Sequence, residues 1–218
     1  MVQLQLGFRT RRGGARVGAG RPRLPAHLRR TPHRARGAHR KAEPVHVTLR
    51  AGLRSLRSQH LVRTVLGALR DSQRADFRIV HYSVQENHLH LLVEAHSGAA
   101  LSAGMRGLMV RVARRVNRLL FRRGRFWADR WHGRALASPR QVRNALVYVI
   151  QNRNKHCAQN SGLDPLSTAE WFNGFAQRLP RDFRSATPRA NAPPCTWLLV
   201  TGWRRHGLIG LCEVPRST

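Results

Sequence analysis

His88 and His90 sit two apart in the stretch ENHLHLLVEA, residues 86–95. In a strand, residues i and i+2 point to one face, so the two imidazoles would be presented side by side. Neutral imidazole is a common ligand for divalent transition metals, and a strand is a rigid platform for two of them. In a chain with 12 histidines, an HxH triplet also arises with both rings merely facing solvent. The second group capable of chemistry is Tyr148, one of two tyrosines with Tyr82. It lies in ALVYVIQNRNKH, and Asn152 follows one helical turn later, so phenol and amide project from nearly the same face. Aimed at a strand bearing two imidazoles, they would form a nucleophile beside a metal with three protein donors. The plainer alternative makes Tyr148 a core-edge aromatic bordered by Val142, Leu146 and Val149.

The elements that must position these residues follow from hydrophobic period. VHVTLR (45–50) alternates Val45, Val47 and Leu49 against His46, Thr48 and Arg50, which predicts a half-buried strand. SLRSQHLVRTVLGALRDS (55–72) repeats Leu61, Val65 and Leu69 at helical spacing. FRIVHYSV (77–84) alternates again, QEN (85–87) reads as a hairpin connection, and HLHLLVEA (88–95) returns. From Leu101 to Arg123 a helix is predicted, with Leu101, Met105, Leu108, Val112, Val116 and Leu119 on one stripe. Arg111, Arg115, Arg118 and Arg122 form a neighbouring stripe, either a phosphate-tracking face or a solvated one. FWADRWHGRALA (126–137) predicts a strand, in which Trp127, Trp131 and His132 could stack on unpaired bases or, for the tryptophans, fill the core. Ser138-Pro139-Arg140-Gln141 has the form of a helix start, with Ser as N-cap, Pro at N1 and Gln at N3 closing a capping box. That helix is expected to run to about His156. The order β–α–β–β–α–β–α predicts an α+β fold, a ferredoxin-like or RRM-like antiparallel sheet with helices packed on one face. Glu94 shares the face of His88 and His90, which suits it equally to orienting a ligating imidazole or to a surface role; Glu86 fits the hairpin turn.

Charge narrows the partners. Forty Lys+Arg stand against 10 Asp+Glu, a formal net charge of +30, which is the footprint of a polyanion binder. No apolar stretch is long enough to span a bilayer, so nucleic acid is preferred over membrane. Cys157, Cys195 and Cys212 form no CxxC pair, and no apolar leader precedes a cleavage site, so an intracellular setting is expected. Residues 1–43 read as a basic disordered arm, 44–160 as the folded domain and 161–218 as an accessory C-terminal segment. Within the arm, GAGRPR (18–23) is like the core of an AT-hook, which makes Arg21 and Arg23 either minor-groove readers or generic phosphate contacts.

Taken together, HYSVQENHLHLLVEA, the basic amphipathic helix and ALVYVIQNRNKH resemble the IS200/IS605-like Y1 transposases of the HUH single-strand endonuclease superfamily, most of all the REP-associated tyrosine transposases. The resemblance runs from about Pro44 to His156. It implies that His88 and His90 are the two metal-binding histidines, Tyr148 the nucleophile and Asn152 the third ligand, with Gln151 and His156 as rivals. It implies Mg²⁺ or Mn²⁺ as cofactor, and single-stranded and hairpin DNA as partner, met by a monomer or a homodimer. The activity implied is cleavage and rejoining of single-stranded DNA through a 5′-phosphotyrosine, in a bacterial-type cytoplasm at the nucleoid. A non-catalytic hairpin-binding protein of the same fold is the alternative, and a generic basic RNA-binding protein a third.

Overall fold

The computed structural model describes residues 38–152, 163–184 and 189–215, all within one compact unit spanning Ala38–Thr218. Arg21 and Arg23 of the arm, and His156, lie outside the described residues. Strands β1 (Val45–Arg50), β2 (Phe77–Val84), β3 (His88–Ala95) and β4 (His132–Ala135) form a four-stranded sheet in the order β2-β3-β1-β4. Each neighbouring pair is antiparallel. Helix α1 (Gln59–Arg70) joins β1 to β2, and α2 (Gly98–Leu119) joins β3 to β4. This is the expected α+β, ferredoxin-like arrangement.

Local chemistry accounts for most element ends. The β2–β3 hairpin closes through Gln85–Asn87, with Gln85 N donating to His88 O at 2.9 Å. Ser97 caps α2 by accepting from Ala100 N. The α2 helix stops at Leu119, short of Arg123, where Phe121 turns the chain at φ 49°. Helix α3 (Pro139–Ile150) begins as the sequence predicts: Ser138 accepts from Gln141 N, and Pro139 takes N1. The Gln141 side chain reaches back to Ala137 N at 2.8 Å, one residue beyond the usual capping box. At its far end α3 closes at Ile150, with Gln151 as C-cap, and the expected run to about His156 passes outside the described residues after Asn152. The fourth strand is also shorter than the 126–137 expected: Trp127 keeps a single antiparallel bridge to Ala51, the ladder resumes only at His132, and Phe126, Trp127 and Trp131 are buried in the first core. Trp127 Nε1 donates to Met109 O at 2.9 Å.

Both faces of the sheet are covered, not one. Alternation sends Leu89, Leu91, Val93 and Ala95 of β3 into a core with α1 and α2, together with Val45, Val47 and Leu49 of β1. The opposite face of β3 carries His88, His90, Leu92 and Glu94. Leu92 packs there with Leu146, Val149 and Ile150 of α3. A register shift between Ile79 and His81 gives β2 one extra residue. This bulge turns both Val80 and His81 toward the α3 layer while Tyr82 returns to the first core. A helix on the second face was not legible from β3, whose histidines and Glu94 make that side look solvent-facing.

The C-terminal residues complete the second layer. Helix α4 (Trp197–Val200) and a 3-10 turn, Gly202–His206, lie against α3. Glu94, buried, accepts from Cys195 N, Thr196 N and Thr196 Oγ1 at 2.7–2.8 Å. It therefore anchors this segment and does not orient a ligating histidine. Asp164 forms a two-pronged pair with Arg57, both contacts at 2.8 Å, and accepts from Leu166 N. Arg143 of α3 holds Glu213 through a second such pair.

Candidate active site

On the second face of the sheet, register sets the site. Thr48 and Ser83 pair with His90 on either side, and His132 lies beyond Thr48. One row over, His46 stands between Leu92 and Arg134. His88 and His90 are presented as the i, i+2 spacing predicts: their rings are parallel within 5°, with centroids 6.1 Å apart. Thr48 Oγ1 lies 3.2 Å from His90 Nδ1, which makes Nε2 the nitrogen suited to a metal.

Tyr148, on α3, is brought to this face. Its ring meets His90 edge to face at 5.1 Å and His46 at 5.3 Å. His46 and His90 are in turn 5.7 Å apart. His46 is a residue that sequence reasoning placed on the outer face of a strand without giving it a role. The signal was present, since His46 alternates with Val45 and Val47. What no local pattern reveals is that β1 runs beside β3 and under α3. Burial first, and the Arg134 guanidinium second, lower the His46 pKa to about 4, so the ring is neutral at physiological pH. Its Nε2 is buried without a hydrogen-bond partner. Burial, and then the charge of Arg50, also lower the pKa of His88, which favours the uncharged form a metal needs.

The two rival amides, Gln151 and Asn152, both keep a buried side-chain oxygen without a donor, and the difference between them lies in what the Gln151 nitrogen does. Gln151, the C-cap, donates its Nε2 to Gly210 O at 2.6 Å and to Leu211 O at 3.3 Å, so it fastens the C-terminal segment to α3. Asn152 is buried, and its Oδ1 has no donor. The chain leaves α3 at Gln151 (φ −117°, ψ 21°), so the placement of Asn152 follows from this turn and not from an uninterrupted helical face. Among the described residues no three His, Cys, Asp or Glu side chains form a metal-holding group. The donor set that fits a divalent ion is two imidazoles on one strand face plus an amide oxygen otherwise buried and unsatisfied. His88 and His90 supply the imidazoles, and Asn152 and Gln151 each offer a buried amide oxygen of that kind.

A cleft of about 660 Å³ opens between the β1–β4 edge, α3 and the C-terminal segment, and Tyr148 lines it. Of the residues around it, Glu213 alone is acidic, and Arg143 neutralises it. The expected arginine stripe of α2 is elsewhere. That helix lies on the face opposite His88 and His90, where Arg111 donates to Ser72 Oγ at 2.6 Å and Arg115 to Asp71 at 2.6 Å. Arg122 donates to Arg125 O, and Arg118 is exposed. Trp127 and Trp131 are buried core residues rather than stacking platforms.

Comparison with known proteins follows this geometry. Residues 54–152, a span containing His88, His90, Tyr148 and Asn152, match the family model described as "Transposase IS200 like". A solved structure described as the REP-associated tyrosine transposase bound to a REP hairpin has a similar fold, with a TM-score of 0.52 and 20% identity. The match covers 65% of this chain and 84% of that one. No curated protein matches the chain. Among the described residues no helix is long and apolar enough to cross a membrane.

Proposed function

We propose that this chain, whose residues 54–152 carry the IS200-like transposase match, is a tyrosine DNA strand transferase that cuts and rejoins single-stranded DNA at hairpin-forming sequences. The observation that supports it most is the contact of Tyr148 with His90 on the strand face that also presents His88. In this reading the protein works inside the cell on hairpin DNA, like the solved neighbour described with a REP hairpin.

His88, His90 and Asn152 would hold a divalent cation, Mg²⁺ or Mn²⁺, which supplies Lewis-acid polarisation of the scissile phosphate. The Tyr148 oxygen attacks phosphorus; the new Oη–P bond forms as the P–O3′ bond breaks. The departing 3′ oxygen keeps the electron pair and takes up a proton, leaving a 3′-hydroxyl on one strand and a 5′-phosphotyrosine on the enzyme. Because the phosphodiester is exchanged rather than hydrolysed, a 3′-hydroxyl from a second strand reverses the step without ATP. The chain's own contribution is placement: β3 fixes the histidines, Thr48 orients His90, and α3 carries the phenol to the same face.

The test is incubation with a labelled stem-loop oligonucleotide and Mg²⁺ or Mn²⁺, followed by denaturing electrophoresis. Wild type gives a protein–DNA adduct and a shortened strand. Tyr148→Phe loses both, by on the order of 10³-fold or more, while hairpin binding persists. Cleavage that survives the substitution overturns the mechanism. Hairpin binding without cleavage under either metal supports the non-catalytic alternative.

A further inference from the structure

We propose that the cleft beside Tyr148 is the track for a single nucleic-acid strand, with Arg134 of β4 and Arg140 of α3 as its phosphate contacts and the C-terminal turn as its far wall. This rests on the reading of Tyr148 as the residue that meets the strand. It replaces the α2 stripe as the nearest source of phosphate contacts.

The arginines around the cleft differ in what they already do. Arg143 is committed: its two contacts with Glu213 are 2.6 and 2.8 Å, and it also donates to Gly207 O and Leu208 O. It acts as a strut that holds the wall at a set distance from α3. Arg134 and Arg140 line the same cleft and are exposed, and their side chains make no hydrogen bond or ion pair with the described residues. Their charge is uncompensated within the cleft, and Arg134 stands beside His46 in the β1–β4 ladder. Asn144 and His206 add polar groups to the walls.

Shape selects the ligand. The volume, about 660 Å³, falls in the range of about 300–1,000 Å³ that encloses a small molecule. A nucleotide within an extended strand fits such a space, and a duplex does not. Two guanidiniums without side-chain partners, lining one cleft with a phenol, suit a phosphodiester running through it, since guanidinium forks match phosphate oxygens. The turn Gly202–His206 and Val214 lie outside the matched span 54–152. This wall is therefore a feature of the chain beyond the family match.

The experiment uses the full chain carrying Tyr148→Phe, so that no chemistry intervenes. Fluorescence anisotropy would follow binding of an unpaired labelled oligonucleotide and of a blunt hairpin between about 50 and 200 mM salt. Arg134→Ala with Arg140→Ala is expected to weaken single-strand binding at least tenfold and to lower the salt slope by about 1.4, from two contacts at ~0.7 each. Hairpin binding should change less. Both residues are exposed, and circular dichroism checks that the variant folds; Arg134→Gln with Arg140→Gln must show the same loss. Wild-type affinity and slope in the double variants overturn the proposal, as does an equal loss for hairpin and single strand. The outcomes separate from those of the strand-transfer reading. A chain that never cleaves yet needs both arginines for single strands keeps this inference alone. Tyr148-dependent cleavage by a chain whose double variants bind normally keeps only the other.

Discussion

Tyr148 stands edge-on to His90, the ring planes at 89° and the centroids 5.1 Å apart. This lies in the favourable range for an edge-to-face pair. It is the tertiary relationship through which a helix-borne phenol and a strand-borne imidazole come to share one site. The residues that enforce it are not in the site: Leu92, Leu146 and Val149 pack α3 onto β3 in the layer around it.

The donor set predicts a thermal response to metal. Mn²⁺ at about 100 times its Kd should stabilise the fold by ~2.7 kcal/mol, read as a Tm rise of several degrees. His90→Ala and Asn152→Ala should lose that rise. Gln151→Ala should keep it but cost about 1–3 kcal/mol of basal stability, because its bonds to Gly210 and Leu211 disappear. The reverse pattern would transfer the third-ligand role from Asn152 to Gln151.

His81 predicts the acid limb of stability. It is buried against Phe172, with Nδ1 3.0 Å from Thr168 Oγ1, and burial lowers its pKa to about 3. The unfolded chain takes up a proton near pH 6.5 that the folded chain refuses until about pH 3. Its stabilising contribution is complete above pH 6.5 and falls as pH drops through that window. His81→Gln removes the titration, so denaturant unfolding between pH 7 and 4 should show a shallower decline. An unchanged slope would mean that His81 is not the buried group responsible.

Gly104 and Gly107 of α2 predict opposite effects of one substitution. A Cβ at Gly104 would lie 2.3 Å from Cγ of Phe77, which is fully buried; at Gly107 it meets nothing within 4 Å. Gly104→Ala should destabilise by about 1–3 kcal/mol through overpacking. Gly107→Ala should stabilise by up to ~1 kcal/mol through helix propensity. Urea midpoints of the two variants make the comparison, and equal shifts would contradict the close approach of α2 to β2.

The Arg57–Asp164 pair ties the C-terminal segment to the loop before α1, with the Asp164 side chain fully buried. Asp164→Ala should cost about 3–5 kcal/mol, because it strands a half-buried guanidinium and leaves Leu166 N without its acceptor. Limited proteolysis should then cut within residues 163–215 first. If it does not, that segment is held mainly by the Trp203 layer.

Period and capping chemistry were enough for the sequence to determine each element that carries a site residue. Alternation sets β1 and β3, QEN closes the hairpin, Ser138 starts α3, and HxH presents two imidazoles to one face whatever surrounds them. These are local properties, decided within a few residues by backbone geometry. Tertiary structure decided what lies across from them. The second covered face, the place of His46 beside both His90 and Tyr148, and the commitment of Arg111 and Arg115 to Ser72 and Asp71 all depend on which layer packs where. So do the anchoring role of Glu94 and the different fates of Gln151 and Asn152 at the end of α3. Contacts between residues far apart in the chain settle those questions, and hydrophobic period does not encode them: it says that a side is buried or exposed, never by which partner.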